Sequence, residues 1–139
     1  MRILLDTCIL SELRRPDCDE KLRKYILNIP DENLFVSVIS IAEIIKGVSL
    51  LNDSKKKQEL QSWVYSLERF YEDRIKNIDY ETAQIWGEMT ATAQKRGVVI
   101  PAIDGLIASS ARRHGLHMMT RNISDFEHTG VMLVQPWDM

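Results

Sequence analysis

Cysteine and histidine are scarce in this chain, and the few that occur are not arranged as a disulfide framework or a zinc site. Its 139 residues include two cysteines, Cys8 and Cys18, and three scattered histidines. Two cysteines are too few for the disulfide framework of a small secreted domain. A structural zinc site needs a close set of cysteine and histidine ligands. The sequence therefore predicts neither kind of staple.

The chain also lacks a long apolar run and an excess of basic charge. The apolar stretch at its start is too short for a signal peptide and is interrupted by Asp6. No apolar run approaches the roughly 20 residues that a membrane helix needs, so we expect a soluble, cytoplasmic protein without membrane contact. The net charge is −2, whereas proteins that coat DNA are usually strongly basic. Any contact with nucleic acid should therefore come from local basic clusters.

What the chain does contain is a regular alternation of short apolar runs and amphipathic segments. Its hydrophobic and charged fractions, 45% and 27%, are typical of a globular domain, here expected to span residues 1–139. Helices are predicted between five strands, which are expected near residues 2–5, 34–38, 74–78, 116–119 and 131–134. Short buried strands that alternate with helices indicate an α/β fold with a mainly parallel sheet covered on both faces.

Four acidic residues lie beside the predicted strand ends. Asp6 and Asp125 follow strands, Asp104 is in the first turn of a helix that precedes a strand, and Glu43 is in the first turn of a helix predicted to open at Ser40. Ligands of open parallel sheets bind beyond the carboxyl ends of the strands. Clustered carboxylates repel one another unless a cation offsets their charge. Oxygen ligands of this kind suit Mg²⁺ or Mn²⁺.

Each acid also has an ordinary structural explanation. Asp6 could cap the following helix, Asp104 could face the positive end of a helix dipole, and Asp125 could cap a short turn. Ser40-Ile41-Ala42-Glu43 is a formal capping box, in which Glu43 would accept a bond from the backbone of Ser40. Taken alone, that explanation is favoured for Glu43. The four acids together, each beside a strand end, favour a metal site.

An ordered set of motifs resembles the PIN-domain ribonuclease toxins, the VapC-like and FitB-like family of type II toxin–antitoxin systems. No single motif is specific, but their order and separations match over essentially the whole chain. The motifs are Ile3–Thr7, Ser37–Gly47, Ala102–Ala108, Thr120–Phe126 and Gln135–Trp137. The resemblance implies a three-layer α/β/α PIN-like fold with a mainly parallel sheet of four to five strands. It also implies a Mg²⁺- or Mn²⁺-dependent endoribonuclease, in which a metal-activated water cleaves RNA phosphodiester bonds.

The resemblance assigns roles to particular residues. Asp6, Glu43 and Asp104 match the family's metal-binding and catalytic acids, and Asp125 matches a more variable fourth acid. Other polar residues match positions around the site. They would hold the acids in place or contact RNA, water or metal, and they are Thr7, Thr120, Arg121 and Asn122. For Arg121, contact with RNA and a structural pairing with an acid both stay open.

One position departs from the family pattern. Cys8 stands where the family usually has an asparagine two residues after the first acid. An amide can orient a carboxylate by hydrogen bonding, whereas a thiol does so poorly. Losses of this kind weaken metal affinity or activity by roughly 10–100-fold. The departure therefore bears on catalytic strength and not on the fold, and Cys8 itself is expected to be buried and inert.

Two other functions are compatible with parts of the sequence. A noncatalytic interaction module of the same fold would explain Cys8 but not the complete set of acids. A phosphatase with Asp6 as nucleophile would usually have a second acid at position 8. For the nuclease, the resemblance implies a cognate antitoxin, a homodimer, and contact with DNA only through the antitoxin. The stripe of Trp63, Leu67 and Phe70 is expected in the core more than in an interface, and the methionines and Trp86 in the core.

Overall fold

Within residues 1–138, the part of the chain that the computed structural model describes, five short strands form one parallel sheet. They are β1 (Ile3–Leu5), β2 (Leu34–Ser37), β3 (Ile75–Lys76), β4 (His117–Met119) and β5 (Leu133–Val134). The strand order is β3-β2-β1-β4-β5, and each neighbouring pair is parallel. The first strand of the chain therefore lies in the middle of the sheet, and its carboxyl end points toward Asp6.

Helices cover both faces of the sheet. They are α1 (Thr7–Arg14), α2 (Glu20–Leu27), α3 (Val38–Ser49), α4 (Lys55–Phe70), α5 (Tyr80–Lys95), α6 (Ala102–Arg113) and α7 (Ile123–Phe126), with one-turn 3₁₀ helices at Asp31–Asn33 and Pro136–Asp138. Asp19, Ser54 and Asp79 cap α2, α4 and α5 by accepting bonds from backbone N–H groups. In residues 1–138, every helix is too short or too polar to span a membrane.

Alternate side chains of β1 enter two separate apolar cores. Ile3 and Leu5 belong to the core formed with α1 to α4, whereas Leu4 belongs to the core formed with Ile107 and its neighbours on α6. This alternation follows from the two-residue period of a strand. All three side chains are fully buried. The sheet is thus enclosed between two helical layers, and the predicted three-layer α/β/α arrangement is confirmed.

The start of α3 differs from the prediction. The helix begins at Val38, directly after β2, and Ser37 caps it by accepting a bond from the N–H of Ile39. Ser40 is therefore inside the helix and fully buried, and the capping box with Glu43 does not form. Glu43 lies in the second turn instead of the first. The reason is that the chain passes from strand to helix without a loop, so the last strand residue takes the capping position.

Some residues expected in the core are at the surface. The spacing of Ile41, Ile44, Ile45, Val48 and Leu51 predicts one apolar helix face. Ile41, Ile44 and Val48 do form a buried stripe on α3, but Ile45 and Leu51 are 43% and 40% exposed. The prediction that all methionines are core is wrong for Met1 and Met132, which are exposed, and Met139 lies outside the described residues. The outer strands β3 and β5 are also shorter than their apolar runs suggested, because each has only one neighbouring strand.

Candidate functional site

Asp6 is the buried acid at the centre of the candidate site. It directly follows β1 and is the N-cap of α1, where its Oδ1 accepts the backbone N–H of Thr7 at 2.8 Å. Its Oδ2 accepts the Thr120 hydroxyl at 2.8 Å and faces the Cys8 thiol at 3.5 Å. The capping explanation is therefore correct but incomplete. The cap uses one carboxylate oxygen, and two residues from the site fix the other.

Thr7 connects Asp6 to Glu43. Its backbone N–H donates to Oδ1 of Asp6. Its hydroxyl donates at 2.7 Å to Oε1 of Glu43, a residue 36 positions away in the sequence. Glu43 is exposed and is directed toward α1 instead of back to its own helix terminus. The capping explanation for Glu43 is thus replaced by a contact with the neighbourhood of Asp6. Thr7 is placed as the resemblance implied, beside the acids.

Asp104 carries the clearest electrostatic sign that the acids are grouped. It lies in the first turn of α6 and is half-buried. Burial raises the pKa of the Asp104 carboxyl from 3.8 to about 6, and the negative charges of Asp6, Asp125 and Glu43 add to the rise. A carboxylate raises the pKa of another carboxyl group only when it lies near that group. The four acids selected from the sequence are therefore neighbours in the fold.

The fourth acid belongs to the segment that follows β4. Asp125 is exposed in the first turn of the short helix α7, and Asn122 precedes that helix. The backbone N–H of Asn122 donates to the Thr120 hydroxyl at 3.0 Å, and that hydroxyl in turn donates to Asp6. Thr120 is fully buried. It therefore joins the segment that carries Asp125 to the central acid.

These acids have the chemistry of a divalent-cation site, although their side chains are not drawn together around one point. In residues 1–138, no three Asp, Glu, His or Cys side chains form a group close enough to hold an ion. The effect on the Asp104 pKa extends over a longer distance than a coordination bond, so the two observations agree on a loose cluster. Glu43 and Asp125 are exposed and can change rotamer at small cost. Four hard oxygen donors with mutual repulsion fit Mg²⁺ or Mn²⁺.

Arg121 forms the structural pair with an acid that was one of its two predicted roles. Its guanidinium donates two bonds to Glu12, both at 2.9 Å, and lies 3.5 Å from Asp19. The same guanidinium stacks 4.0 Å from the ring centroid of Trp137. These bonds hold the pKa of Glu12 below its usual range. Glu12 could not be identified from the sequence as the partner of Arg121, because the two residues are 109 positions apart.

Cys8 fills the space between Asp6 and the segment after β4. Its sulfur faces Asp6 Oδ2 at 3.5 Å and Thr120 Oγ1 at 3.7 Å, and it accepts the backbone N–H of Arg121 at 3.5 Å. The thiol is half-buried, and this burial raises its pKa. A raised pKa leaves little thiolate at neutral pH, which argues against a reactive cysteine. The thiol therefore occupies the position of the usual amide and makes the weaker contact that the substitution suggested.

Two clefts open on opposite sides of Glu43. One, of about 260 Å³, lies between α1, α3 and α4 and includes Thr7, Arg14 and Trp63. The other, of about 220 Å³, lies between α3 and α6 and includes Lys46 and Ile103. Neither Lys46 nor Ile103 was predicted to be a site residue. In the stripe on α4, Trp63 and Leu67 pack half-buried against the core, whereas Phe70 is 48% exposed.

Comparison with known proteins gives a consistent match over almost the whole chain. Residues 3–131 match the model of the PIN domain. The chain is 34% identical to Toxin FitB of Neisseria gonorrhoeae, over 97% of this chain and 98% of that protein. It is 29% identical to VapC ribonuclease Y4jK of Sinorhizobium fredii, over 98% of both. The crystal structure of FitAcB from Neisseria gonorrhoeae superposes with a TM-score of 0.91 at 33% identity, covering 99% of each chain.

Proposed function

The chain belongs to the PIN-domain family, in its VapC-like and FitB-like group, and from that premise we propose that it is a Mg²⁺- or Mn²⁺-dependent endoribonuclease and the toxin of a toxin–antitoxin pair. The observation that carries the proposal is the electrostatic coupling of Asp104 to the other three acids. Burial is the largest cause of the raised pKa of Asp104, and the charges of Asp6, Asp125 and Glu43 add to it, whereas a helix-dipole contact alone would lower that pKa. Grouped acids are costly in a metal-free fold and useful when a cation is bound.

Each residue of the site has a distinct task in the proposed reaction. Asp6, Glu43 and Asp104 would hold the cation, with Asp125 assisting. A divalent cation in such a site stabilises charge on phosphate oxygens and lowers the pKa of a coordinated water. Thr120 and Thr7 fix the orientations of Asp6 and Glu43 through hydrogen bonds of 2.8 and 2.7 Å. Residues that hold the first carboxylates in place commonly contribute about 10–100-fold to affinity or activity.

The proposed reaction is hydrolysis, not transfer to a ribose hydroxyl. Water attacks the phosphorus of an RNA phosphodiester, a P–O bond to water forms, and the P–O3′ bond breaks. The products carry 5′-phosphate and 3′-hydroxyl ends. The attacking water gives its proton to the surrounding carboxylates or solvent, and the leaving 3′ oxygen takes a proton from solvent. No lysine or histidine is required for these steps, which agrees with an oxygen-lined site.

The partners in this proposal are an RNA substrate, a cognate antitoxin and a second copy of the chain. The similarity to a protein named a toxin supports the antitoxin. Contact with DNA would occur only through that antitoxin. The homodimer has its own measurement, which is the mass of the purified protein by light scattering. A mass twice that of the 16.1 kDa chain supports the dimer, and a mass equal to it contradicts it.

Cleavage of total cellular RNA by the purified, inhibitor-free protein tests the enzyme proposal. Reactions contain Mg²⁺, Mn²⁺ or EDTA, and Glu43→Gln is run beside the unsubstituted protein. We expect discrete cuts that require the cation and fall at least about 100-fold in the variant. Cuts that persist in EDTA or in Glu43→Gln would contradict the proposed site. Absence of cuts with either cation, from folded protein, would favour the noncatalytic interaction module.

Induced expression in a bacterial host tests the toxin proposal separately. We expect growth to stop with the unsubstituted chain and to continue with Glu43→Gln at equal protein level. Growth arrest by both would mean that toxicity does not depend on the nuclease site.

A further inference from the structure

The cleft between α3 and α6 is the part of the site surface to which no role has yet been assigned. Ile39 and Ala42 on α3 and Ile103 on α6 form its apolar lining, and Lys46 and Glu43 complete it. Ile103 remains 40% exposed although it is apolar and is adjacent to Asp104. The cleft has a volume of about 220 Å³. This apolar recess therefore contains one cationic residue, Lys46, and one acid of the candidate site, Glu43, and Asp104 directly follows Ile103 in the sequence.

Lys46 is unusual among the basic residues near the site because its charge is uncommitted. It follows Glu43 by three positions on α3, so the two side chains project from neighbouring turns. Among residues 1–138, Lys46 has no ion-pair partner, whereas Arg121 is paired with Glu12. On the other side of Glu43, the guanidinium of Arg14 is stacked over the ring of Trp63. Lys46 is therefore the cation that is available to an anionic ligand at this cleft.

We propose that this cleft is a subsite for one nucleotide of the RNA, adjoining the phosphodiester that is cleaved. The base would pack against Ile39 and Ile103, and Lys46 would contact the phosphate on that side. The proposal rests on the ribonuclease function proposed above and extends it to substrate binding. Charge and position support this subsite. A cluster of acids repels the negatively charged RNA, so an RNA strand that reaches the acids needs a cation nearby, and Lys46 provides one.

The chemistry of the lining favours a nucleotide over a small anion or an apolar peptide. A free phosphate would use Lys46 but would leave the three apolar side chains without contact. A purely apolar segment would cover Ile39 and Ile103 but would leave the Lys46 charge and the exposed Glu43 beside it unsatisfied. A nucleotide offers a flat face for the apolar lining and a negative charge for the lysine.

Equilibrium binding of a fluorescently labelled single-stranded RNA oligonucleotide tests the proposal. Binding is measured by anisotropy in the Asp104→Asn background, which prevents cleavage during the measurement, at several salt concentrations. In that background we compare Lys46→Gln, Ala42→Trp and the control Lys24→Gln. Lys24 is an exposed lysine on α2 whose replacement makes the same change of charge. Thermal unfolding of each variant verifies that the fold is retained.

We expect Lys46→Gln to weaken RNA binding by about 5–10-fold and to reduce the slope of log affinity against log salt by about 1. Ala42→Trp, which fills the cleft, should weaken binding several-fold with an unchanged slope, because it removes no phosphate contact. Lys24→Gln should change neither quantity. Equal affinities for Lys46→Gln and Lys24→Gln would overturn the subsite. So would an effect of Ala42→Trp on molecular mass in place of RNA affinity, since the cleft would then join two copies of the chain.

The subsite and the nuclease can fail independently. If the unsubstituted protein cleaves RNA and Lys46→Gln binds it normally, the subsite is wrong and the nuclease stands. If RNA binding depends on Lys46 but no cleavage occurs with either cation, the nuclease is wrong and the cleft is still an RNA-binding site.

Discussion

At the scale of single residues, Asp6 combines a structural task with its proposed ligand role. One of its oxygens caps α1, and the other accepts the hydroxyl of the fully buried Thr120. Glu43, by contrast, is exposed and shares a single side-chain bond with Thr7. Two acids of one site therefore differ in what their removal does to the fold. This difference decides which variants are informative in an activity assay.

We expect Asp6→Ala to lower the free energy of unfolding by about 2–4 kcal/mol, through loss of a helix cap and of the partner of a buried hydroxyl. Glu43→Gln should change it by less than about 0.5 kcal/mol, as is usual at exposed positions. Urea denaturation of the metal-free proteins measures both. Equal effects of the two replacements would mean that the bonds to Asp6 contribute little.

Cys8 provides a second expectation at this scale. Replacing it by asparagine supplies an amide donor to Asp6 in place of a thiol at 3.5 Å. We expect Cys8→Asn to increase the apparent Mg²⁺ affinity, measured from the cation-induced rise in melting temperature, by up to about 10-fold. Cys8→Ala is the control and should decrease it. If the alanine and asparagine variants bind Mg²⁺ equally, the contact between position 8 and Asp6 has no effect on the site.

The raised pKa of Asp104, about 6, implies a pH dependence of stability in the metal-free protein. Because the folded chain binds this proton more tightly than the unfolded chain does, stability falls as pH rises from about 4 to about 6. Asp104→Asn should abolish this contribution and stabilise the protein near pH 7 by about 1–2 kcal/mol, allowing for solvent screening. Urea titrations in EDTA at several pH values measure the difference. Glu12, whose pKa is lowered, contributes the opposite slope in both proteins. A difference that does not change with pH would contradict the raised pKa of Asp104.

The residue scale also marks what the sequence could not predict. All four acids were predicted to converge, because the carboxyl ends of parallel strands lie at one edge. The bond from Thr7 to Glu43 could not be predicted, because the capping box around Ser40 offered Glu43 a local partner. Ser37 is the residue that caps the helix, so Glu43 is not used in a capping box and instead accepts a bond from Thr7. The capping box at Ser40 does not form because β2 ends at Ser37 and the helix begins at the next residue.

At the scale of elements, the beginning of α6 is positioned by contact with α5. The indole nitrogen of Trp86 lies so close to Gly105 that a Cβ on that glycine would be 3.0 Å away. Within residues 1–138 that nitrogen is buried without a hydrogen-bond partner, so packing and not a hydrogen bond holds the indole against Gly105. Gly105 immediately follows Asp104. The fit between these two helices therefore determines where the Asp104 carboxylate lies.

We expect Gly105→Ala to destabilise the fold by about 1–3 kcal/mol through overpacking against Trp86. Gly87→Ala is the matched control, because Gly87 is in the middle of α5 and has open space around its Cα. That replacement should stabilise the protein by up to about 1 kcal/mol, since alanine favours the helix. Thermal or urea denaturation gives both values. Stabilisation by both replacements would show that Trp86 yields easily and does not fix α6.

The types of the elements could be predicted from the sequence, but the strand order and the lengths of the outer strands could not. Parallel strands and their covering helices followed from short apolar runs separated by amphipathic ones, as at Ile3–Leu5 and Lys55–Phe70. The order of strands did not follow, because crossovers of similar length allow β4 to lie on either side of β1. The lengths of β3 and β5 were overestimated, because each is an outer strand with only one neighbouring strand to pair with.

At the scale of the whole molecule, distant segments are joined around Arg121. This residue follows β4 closely, bonds to Glu12 on α1 and to Asp19 before α2, and stacks on Trp137 near the end of the described chain. Its backbone N–H also reaches Cys8. Partly buried, bidentate pairs of this kind are stronger than ordinary surface ion pairs. The segment that carries Thr120 and Asp125 is thus held to the first helix independently of any cation.

If this arrangement hydrolyses RNA with water as the nucleophile, an oxygen atom from the solvent must appear in the product. A defined single-stranded RNA is cleaved with Mg²⁺ in water enriched in oxygen-18, and the product ends are analysed by mass spectrometry, with Glu43→Gln as the control. We expect products whose 5′-phosphate carries one heavy oxygen, and we expect no cleavage products from Glu43→Gln. Unlabelled 2′,3′-cyclic phosphate ends would mean that the ribose hydroxyl attacks, and would contradict the account.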